Sequence, residues 1–211
     1  MSATIEFYTN PMSRGRTVHW MLEELEVPYE VHLLDFGKAE HKAPHFLRIN
    51  PMGKVPTIVH RGTVVTECAA IVAYLADAFP QAGLAPAFDD LKRGTYLRWL
   101  FFAAGCLEPA VIDKMLARPI AEKKSALAYG SFEDAVGALD AALLPGPFIL
   151  GERFSAADIY FTAQLGFGQM VKALTLSPTQ TAYIERCTAR PAYRRFEAKS
   201  AELSAQLKAA Q

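Results

Sequence analysis

The chain has 211 residues, 51% hydrophobic and 21% charged, a balance that excludes a disordered chain and supplies core enough for one or two domains. Lysine plus arginine and aspartate plus glutamate number 22 each, so the net charge is zero and no general pull toward nucleic acid or an anionic membrane is expected. The three cysteines (Cys68, Cys106 and Cys187) are scattered and odd in number, which disfavours a disulfide framework or a metal site. The opening MSATIEFYTN lacks leader character, so a soluble cytoplasmic protein is expected.

In chain order, Ile5 and Phe7 alternate with Thr4, Glu6 and Tyr8, the period-two pattern of a strand, which Asn10-Pro11 closes. Val18, Met21, Leu22 and Leu25 then fall at i, i+3, i+4 and i+7, predicting a helix that begins near Ser13. Residues 29–34 read as a second strand, parallel to the first through a right-handed crossover. Residues 55–59 and 64–66, around Arg61-Gly62, read as a hairpin, and residues 68–79 as a helix. One small mixed sheet in the order β-α-β-(short α)-β-β-α accounts for residues 1–80. Residues 81–88 form a linker by composition, and residues 89–211 an all-helical domain with helices at 89–116, 120–144, 155–173, 178–187 and 191 to about 207, the alanine-rich tail fraying from Ala198. The longest apolar stretch, 99–107, is far short of the ~20 residues of a membrane span and reads as a buried helix.

Four motifs carry chemistry or structure. Phe154-Ser155-Ala156-Ala157-Asp158 is a capping box and reads as structural. In Asn10-Pro11-Met12-Ser13-Arg14-Gly15-Arg16 a strand feeds a helix N-terminus, an anion site made of backbone N–H groups and the positive dipole end. Ser13 there is either a plain N-cap or a working hydroxyl. Arg14 and Arg16 oppose the macrodipole, so a bound anion or a local carboxylate must compensate, and the anion is the reading taken. Asn50-Pro51-Met52-Gly53-Lys54-Val55-Pro56 is a turn-rich lead into a strand, and Thr66-Glu67-Cys68 opens a helix.

Together and in this order, these motifs resemble the cytosolic glutathione transferase family, most of all its phi-type and related bacterial serine-type members, as do Glu40-His41-Lys42 and the Ser155 capping box. The resemblance implies a thioredoxin-like α/β domain with a four-stranded mixed sheet, followed by an all-α domain, and a detoxifying transferase with glutathione as co-substrate. Val55, ahead of a cis Pro56, would pair with the cysteinyl part of glutathione like an added strand. Glu67 would accept from the γ-glutamyl ammonium, while the helix N-terminus at Cys68 holds its carboxylate. His41, Lys42 and Lys54 would receive the glycine carboxylate, and Arg16 would add an anion contact. The hydroxyl of Ser13 would donate to the sulfur and favour the thiolate, with Tyr8 as the rival activator.

The hydrophobic electrophile is expected against the helical domain, at Trp99, Phe102 and Cys106, with Met115, Phe167 and Met170 as further candidates and Tyr8 and Met12 beside the thiol; core packing is the competing explanation of the aromatic stripe. The family also implies a homodimer. Isomerase, dehalogenase or peroxidase chemistry on the same thiolate, or a non-catalytic glutathione-binding module, are the alternatives. Disulfide exchange is less expected, because the Asn10–Ser13 loop has no cysteine.

Overall fold

A computed structural model describes residues 4–209. The chain divides into two compact units, one from the N-terminus to Ala82 together with Arg190 onward, the other Gly83–Ala189. The first begins β1 (Ile5–Thr9), α1 (Gly15–Leu25), β2 (Tyr29–Leu33), α2 (Pro44–Leu47), β3 (Thr57–His60), β4 (Thr63–Val65) and α3 (Cys68–Ala78). Its sheet has the order β2-β1-β3-β4; β1 runs parallel to β2 (Phe7↔Val31) and antiparallel to β3 (Phe7↔Ile58), and β3 and β4 form the hairpin (Ile58↔Val65). This is the four-stranded mixed sheet that the alternation of the sequence predicts.

The alternation in β1 decides which face is core. Ile5 and Phe7 are buried, as are Val18, Met21 and Leu22 of α1, Ile58 of β3 and Ile71, Val72 and Leu75 of α3. Glu6 and Tyr8 occupy the other face, where the Tyr8 ring stacks on His32 (4.5 Å) and lies 5.6 Å from Phe46 of α2. Gly15 sets where α1 starts: a Cβ there would stand 2.0 Å from Oγ1 of Thr9, so only glycine lets the helix begin so close to the end of β1.

The second unit carries α4 (Lys92–Phe102), a π-helical turn (Ala103–Leu107), α5 (Glu108–Met115), α6 (Phe132–Gly137), α7 (Leu139–Leu143), α8 (Ala156–Met170) and α9 (Pro178–Thr188). The helix predicted at 120–144 starts only at Phe132. Gly130 takes a left-handed φ of 67°, and Ser131 with Asp134 forms a capping box, so the periodic apolar residues before it lie in irregular chain. At the start of α8 the predicted Ser155–Asp158 box is present. Oδ2 of Asp158 accepts from N and Oγ of Ser155 (2.8 Å each), and Oδ1 from Ile149 N and Tyr183 Oη (2.9 Å each). Burial pushes the Asp158 carboxyl up, against the pull of these four donors.

The last helix, α10 (Pro191–Ala209), groups with the first unit, whereas the sequence-based division places it in the helical domain. It packs on α1 through buried Ala192 and Phe196 and through ion pairs of Arg190 with Glu24 (2.7 Å), Arg195 with Glu23 (3.4 Å) and Glu26 (2.7 Å), and Lys199 with Glu23 (2.7 Å). The tail expected to fray from Ala198 is helical to Ala209, pinned where Lys199 and buried Ser200 meet α1. Among the described residues no helix is long and apolar enough to cross a membrane.

Candidate active site

Asn10, at the end of β1, anchors the turn into α1. Its Nδ2 donates to Leu34 O (2.8 Å), its Oδ1 accepts from Met12 N (2.9 Å), and its carbonyl accepts from Ser13 N (3.0 Å) and Ser13 Oγ (2.6 Å). Oγ of Ser13 also accepts from Gly15 N (3.0 Å), so the serine serves the first amide of α1 from two residues upstream. Met12 projects from the turn, 83% exposed.

The second Asn-Pro-Met repeats the device. Met52 N donates to Asn50 Oδ1 (3.1 Å) and Gly53 N to Asn50 O (2.8 Å), while Asn50 Nδ2 reaches Lys54 O (2.9 Å) and Thr57 Oγ1 (3.1 Å). Gly53 has φ 59°, and a Cβ there would lie 2.6 Å from the His41 carbonyl, which keeps this loop tight against His41 and Lys42. Nζ of Lys42 donates to Met52 O (2.9 Å), and buried Nδ1 of His41 has no partner among the described residues. The Val55–Pro56 bond is cis, and the β3 ladder begins just beyond it at Thr57↔Tyr8.

Glu67 is exposed and holds φ 64°, ψ 116° at the N-cap of α3. Cys68, the first residue of that helix, directs its Sγ to Arg14 O (3.6 Å). Two helix N-termini, those of α1 and α3, therefore meet at one place in the α/β unit. Both bring the positive end of a helix dipole there, which favours an anionic group; the leading amides of α1 are themselves taken, Gly15 N by Ser13 Oγ (3.0 Å), Arg16 N by Ser13 O (3.2 Å) and Thr17 N by Arg14 O (3.0 Å).

Several residues singled out from the sequence sit elsewhere. Arg16 turns away to α10, where it pairs with Glu197, donates to Ser200 Oγ (3.0 Å) and lies 4.8 Å over the Phe196 ring. The local carboxylate, not an anion, accounts for this arginine in the first helical turn. Oη of Tyr8 donates to Glu6 Oε2 (2.8 Å), and burial, then Glu6, push the phenol up to about 12, so it is a poor source of stabilisation for a thiolate. Trp99 is core, 4% exposed, with Phe102 at 5.3 Å and Phe161 at 6.3 Å. Phe102 is half-buried, and Cys106 directs its Sγ to Ala128 O (3.4 Å), so the aromatic stripe packs within the helical unit. Met115 and Met170 are exposed and Phe167 half-buried. Sequence reasoning missed the anchoring roles of Asn10 and Asn50, which the repeated Asn-Pro-Met could have disclosed. It also missed Glu197, whose pairing across 181 residues no local pattern reveals. Among the described residues no group of three or more His, Cys, Asp or Glu is placed to hold a metal ion.

Residues 3–77 match the N-terminal domain of glutathione S-transferases and residues 111–173 their C-terminal domain. The chain is 30% identical over 166 residues to the disulfide-bond oxidoreductase YfcG of Escherichia coli, covering 74% of this chain and 76% of that one. A glutathione transferase from Methylococcus capsulatus superposes with a TM-score of 0.76 at 30% identity, over 94% of this chain and 99% of the other. A glutathione transferase homologue from Sulfitobacter, solved with bound glutathione, gives 0.73 at 27% identity, over 93% and 98%. With both domain matches in sequence and these relatives, the chain belongs to the glutathione S-transferase family.

Proposed function

We propose that this protein is a serine-type glutathione transferase of the cytoplasm that binds glutathione on its α/β unit and presents the sulfur as a thiolate to hydrophobic electrophiles. The observation that carries the reading is the meeting of the α1 and α3 N-termini at the Cys68–Arg14 contact, in the same α/β unit as the cis Val55–Pro56 bond. In this reading the main chain of Val55 pairs with the cysteinyl residue. Glu67 takes the γ-glutamyl ammonium, the amide of Cys68 its carboxylate, and His41, Lys42 and Lys54 the glycine carboxylate.

Oγ of Ser13 donates to Asn10 O here, so its proton must rotate toward the sulfur when glutathione arrives, while the Gly15 amide continues to polarise the oxygen. A free thiol titrates near ~8.5; a hydroxyl donor and a helix N-terminus both favour its anion. Met12 stands next to Ser13 as the apolar contact for the electrophile. A homodimer is part of the proposal. The test is glutathione binding with steady-state conjugation of a generic aromatic electrophile: Ser13→Ala should keep binding and lose roughly 10²-fold or more in kcat/KM, while Tyr8→Phe keeps most activity. The reverse pattern would reassign the activator.

One relative's name favours a second reading, reduction of a disulfide by two glutathiones to give two thiols and glutathione disulfide. That reaction needs the same glutathione thiolate. A disulfide substrate turned over faster than any electrophile would decide for it.

A further inference from the structure

Between α10 and the start of β2 the first unit has a cleft of about 390 Å³, within the ~300–1,000 Å³ usual for small-molecule sites, and none of its lining residues belongs to the candidate active site. Val27, Pro28, Val31 and Leu203 give it an apolar lining. The polar lining is His19, Tyr29, Lys199 and Glu202, and the hydrogen bonds decide what each of these can offer a ligand. Oη of Tyr29 donates its single proton to Glu23, whose carboxyl, despite burial, is held below its ordinary value by Lys199 and Tyr29. Nε2 of His19, 2.9 Å from the same Oη, must therefore be the protonated nitrogen and donate to it. Burial, partly opposed by Glu23, lowers His19 to about 4, so the ring is neutral at pH 7 and Nδ1 is a bare acceptor. His19 is only 3% exposed, yet Nδ1 has no hydrogen-bond partner among the described residues. That atom is not sealed from solvent, and the ring it belongs to lines the cleft. Lys199 and Glu202 stand one turn apart on α10 with opposite charges, but they do not pair with each other. Nζ of Lys199 reaches Glu23 Oε1 (2.7 Å), and Glu202 has no partner among the described residues. Lys199 and Arg195 balance Glu23 and Glu26, which leaves Glu202 as the uncompensated charge at the cleft.

We propose that this cleft binds an apolar molecule bearing a primary ammonium group, with its N–H donors shared between His19 Nδ1 and the Glu202 carboxylate and its hydrocarbon body against Val27, Pro28, Val31 and Leu203. The head group follows from what is unmet: two acceptors and one negative charge. An ammonium supplies several donors and the countercharge together. An alcohol supplies one donor and no charge, and a quaternary ammonium the charge without a donor. A carboxylate supplies no donor and meets the Glu202 charge, while the Lys199 cation is already taken by Glu23.

The test is a titration of the isotope-labelled full chain followed by amide correlation NMR, without glutathione, so that its outcome is independent of the transferase reading. The probes share a naphthyl ring and differ in the head group: naphthylethylamine, its trimethylammonium derivative, naphthylethanol and naphthylpropanoate. The expected result is amine-induced shifts centred on residues 27–31 and 199–203. The amine should bind about threefold or more tighter than the alcohol or the quaternary derivative, a ratio set by the exposure of Glu202, and the carboxylate should bind most weakly. Glu202→Gln alters an exposed side chain with no bond to lose, and it should bring the amine down to the affinity of the alcohol. The proposal is overturned if the shifts centre elsewhere, if the alcohol, the quaternary derivative or the carboxylate binds as well as the amine, or if the amine preference survives in Glu202→Gln. The spectrum of that variant reports its folding, and the probe series on the unsubstituted chain decides even if the variant is misfolded.

Discussion

Two hydroxyls compete for the thiol, and their surroundings separate them. Ser13 lies in a turn at a helix N-terminus, whereas Tyr8 sits on the opposite face of β1 with its proton committed to Glu6 and its pKa pushed up to about 12. The sequence shows both residues but not this difference, because the Tyr8–Glu6 bond depends on side-chain direction within one strand. Arg16 gives the complementary lesson. Two arginines in a first helical turn signal that a negative partner exists, and the sequence reading favours a bound anion over a local carboxylate; for Arg16 the structure supplies the carboxylate of Glu197 instead. Arg16→Ala should therefore change glutathione affinity less than about twofold. Its cost should fall on stability, at about 1 kcal/mol or less for an exposed pair, and a denaturation midpoint measured alongside a glutathione titration checks both expectations. A large loss of affinity at unchanged stability would return Arg16 to the site.

At the scale of elements, the α1–α10 contact has a pH dependence that can be worked out. His19 Nε2 lies 2.9 Å from Tyr29 Oη, which bonds Glu23, and Lys199 and Arg195 reach Glu23 from α10. Burial, partly opposed by Glu23, lowers His19 to about 4. The unfolded chain would protonate His19 near ~6.5, so between that pH and about 4 the unfolded state binds the extra proton, and stability falls as pH falls through this window. Burial alone would raise Glu23, but hydrogen bonds from Lys199 and Tyr29 and the Lys199 charge hold it below the ordinary carboxylate value, so its contribution is lost in still stronger acid. Urea unfolding at pH 7 and pH 5 should show a loss of roughly 2 kcal/mol that is much reduced in His19→Gln. Equal losses in the two proteins would show that His19 is not the source.

The Asp158 cap is the corresponding element in the helical unit. Asp158→Ala strands four donors in the interior and should cost about 3–5 kcal/mol, whereas Asp158→Asn should cost less, read from the same unfolding curves. This cap was legible because its signature lies within five consecutive residues. The start of α6 was not, since apolar periodicity continues ahead of Ser131 and only the backbone at Gly130 shows where the helix begins.

For the whole molecule, the sequence made the fold and most of the candidate site readable because both are carried by short ordered motifs: Asn10–Arg16, Asn50–Pro56 and Glu67–Cys68. Long-range pairings lay beyond it. Placing α10 with the first unit depends on Glu23, Glu24 and Glu26 finding Arg190, Arg195 and Lys199 more than 160 residues later. A chain ended at Ala189 should consequently lose cooperative unfolding of the α/β unit and with it glutathione binding, and a truncated protein that still binds glutathione with unchanged affinity would show α10 to be dispensable. The proposed homodimer predicts twice the chain mass by sedimentation at micromolar concentration; a concentration-independent monomer would remove it.

The central claim, that this protein makes a glutathione thiolate with the help of Ser13, is tested most directly by an ultraviolet difference spectrum of the protein with glutathione titrated over pH. The account predicts thiolate absorbance with a midpoint well below the ~8.5 of a free thiol, shifted back toward that value in Ser13→Ala and retained in Tyr8→Phe. Glutathione that binds without thiolate absorbance near neutral pH, or a midpoint indifferent to Ser13→Ala, would contradict it.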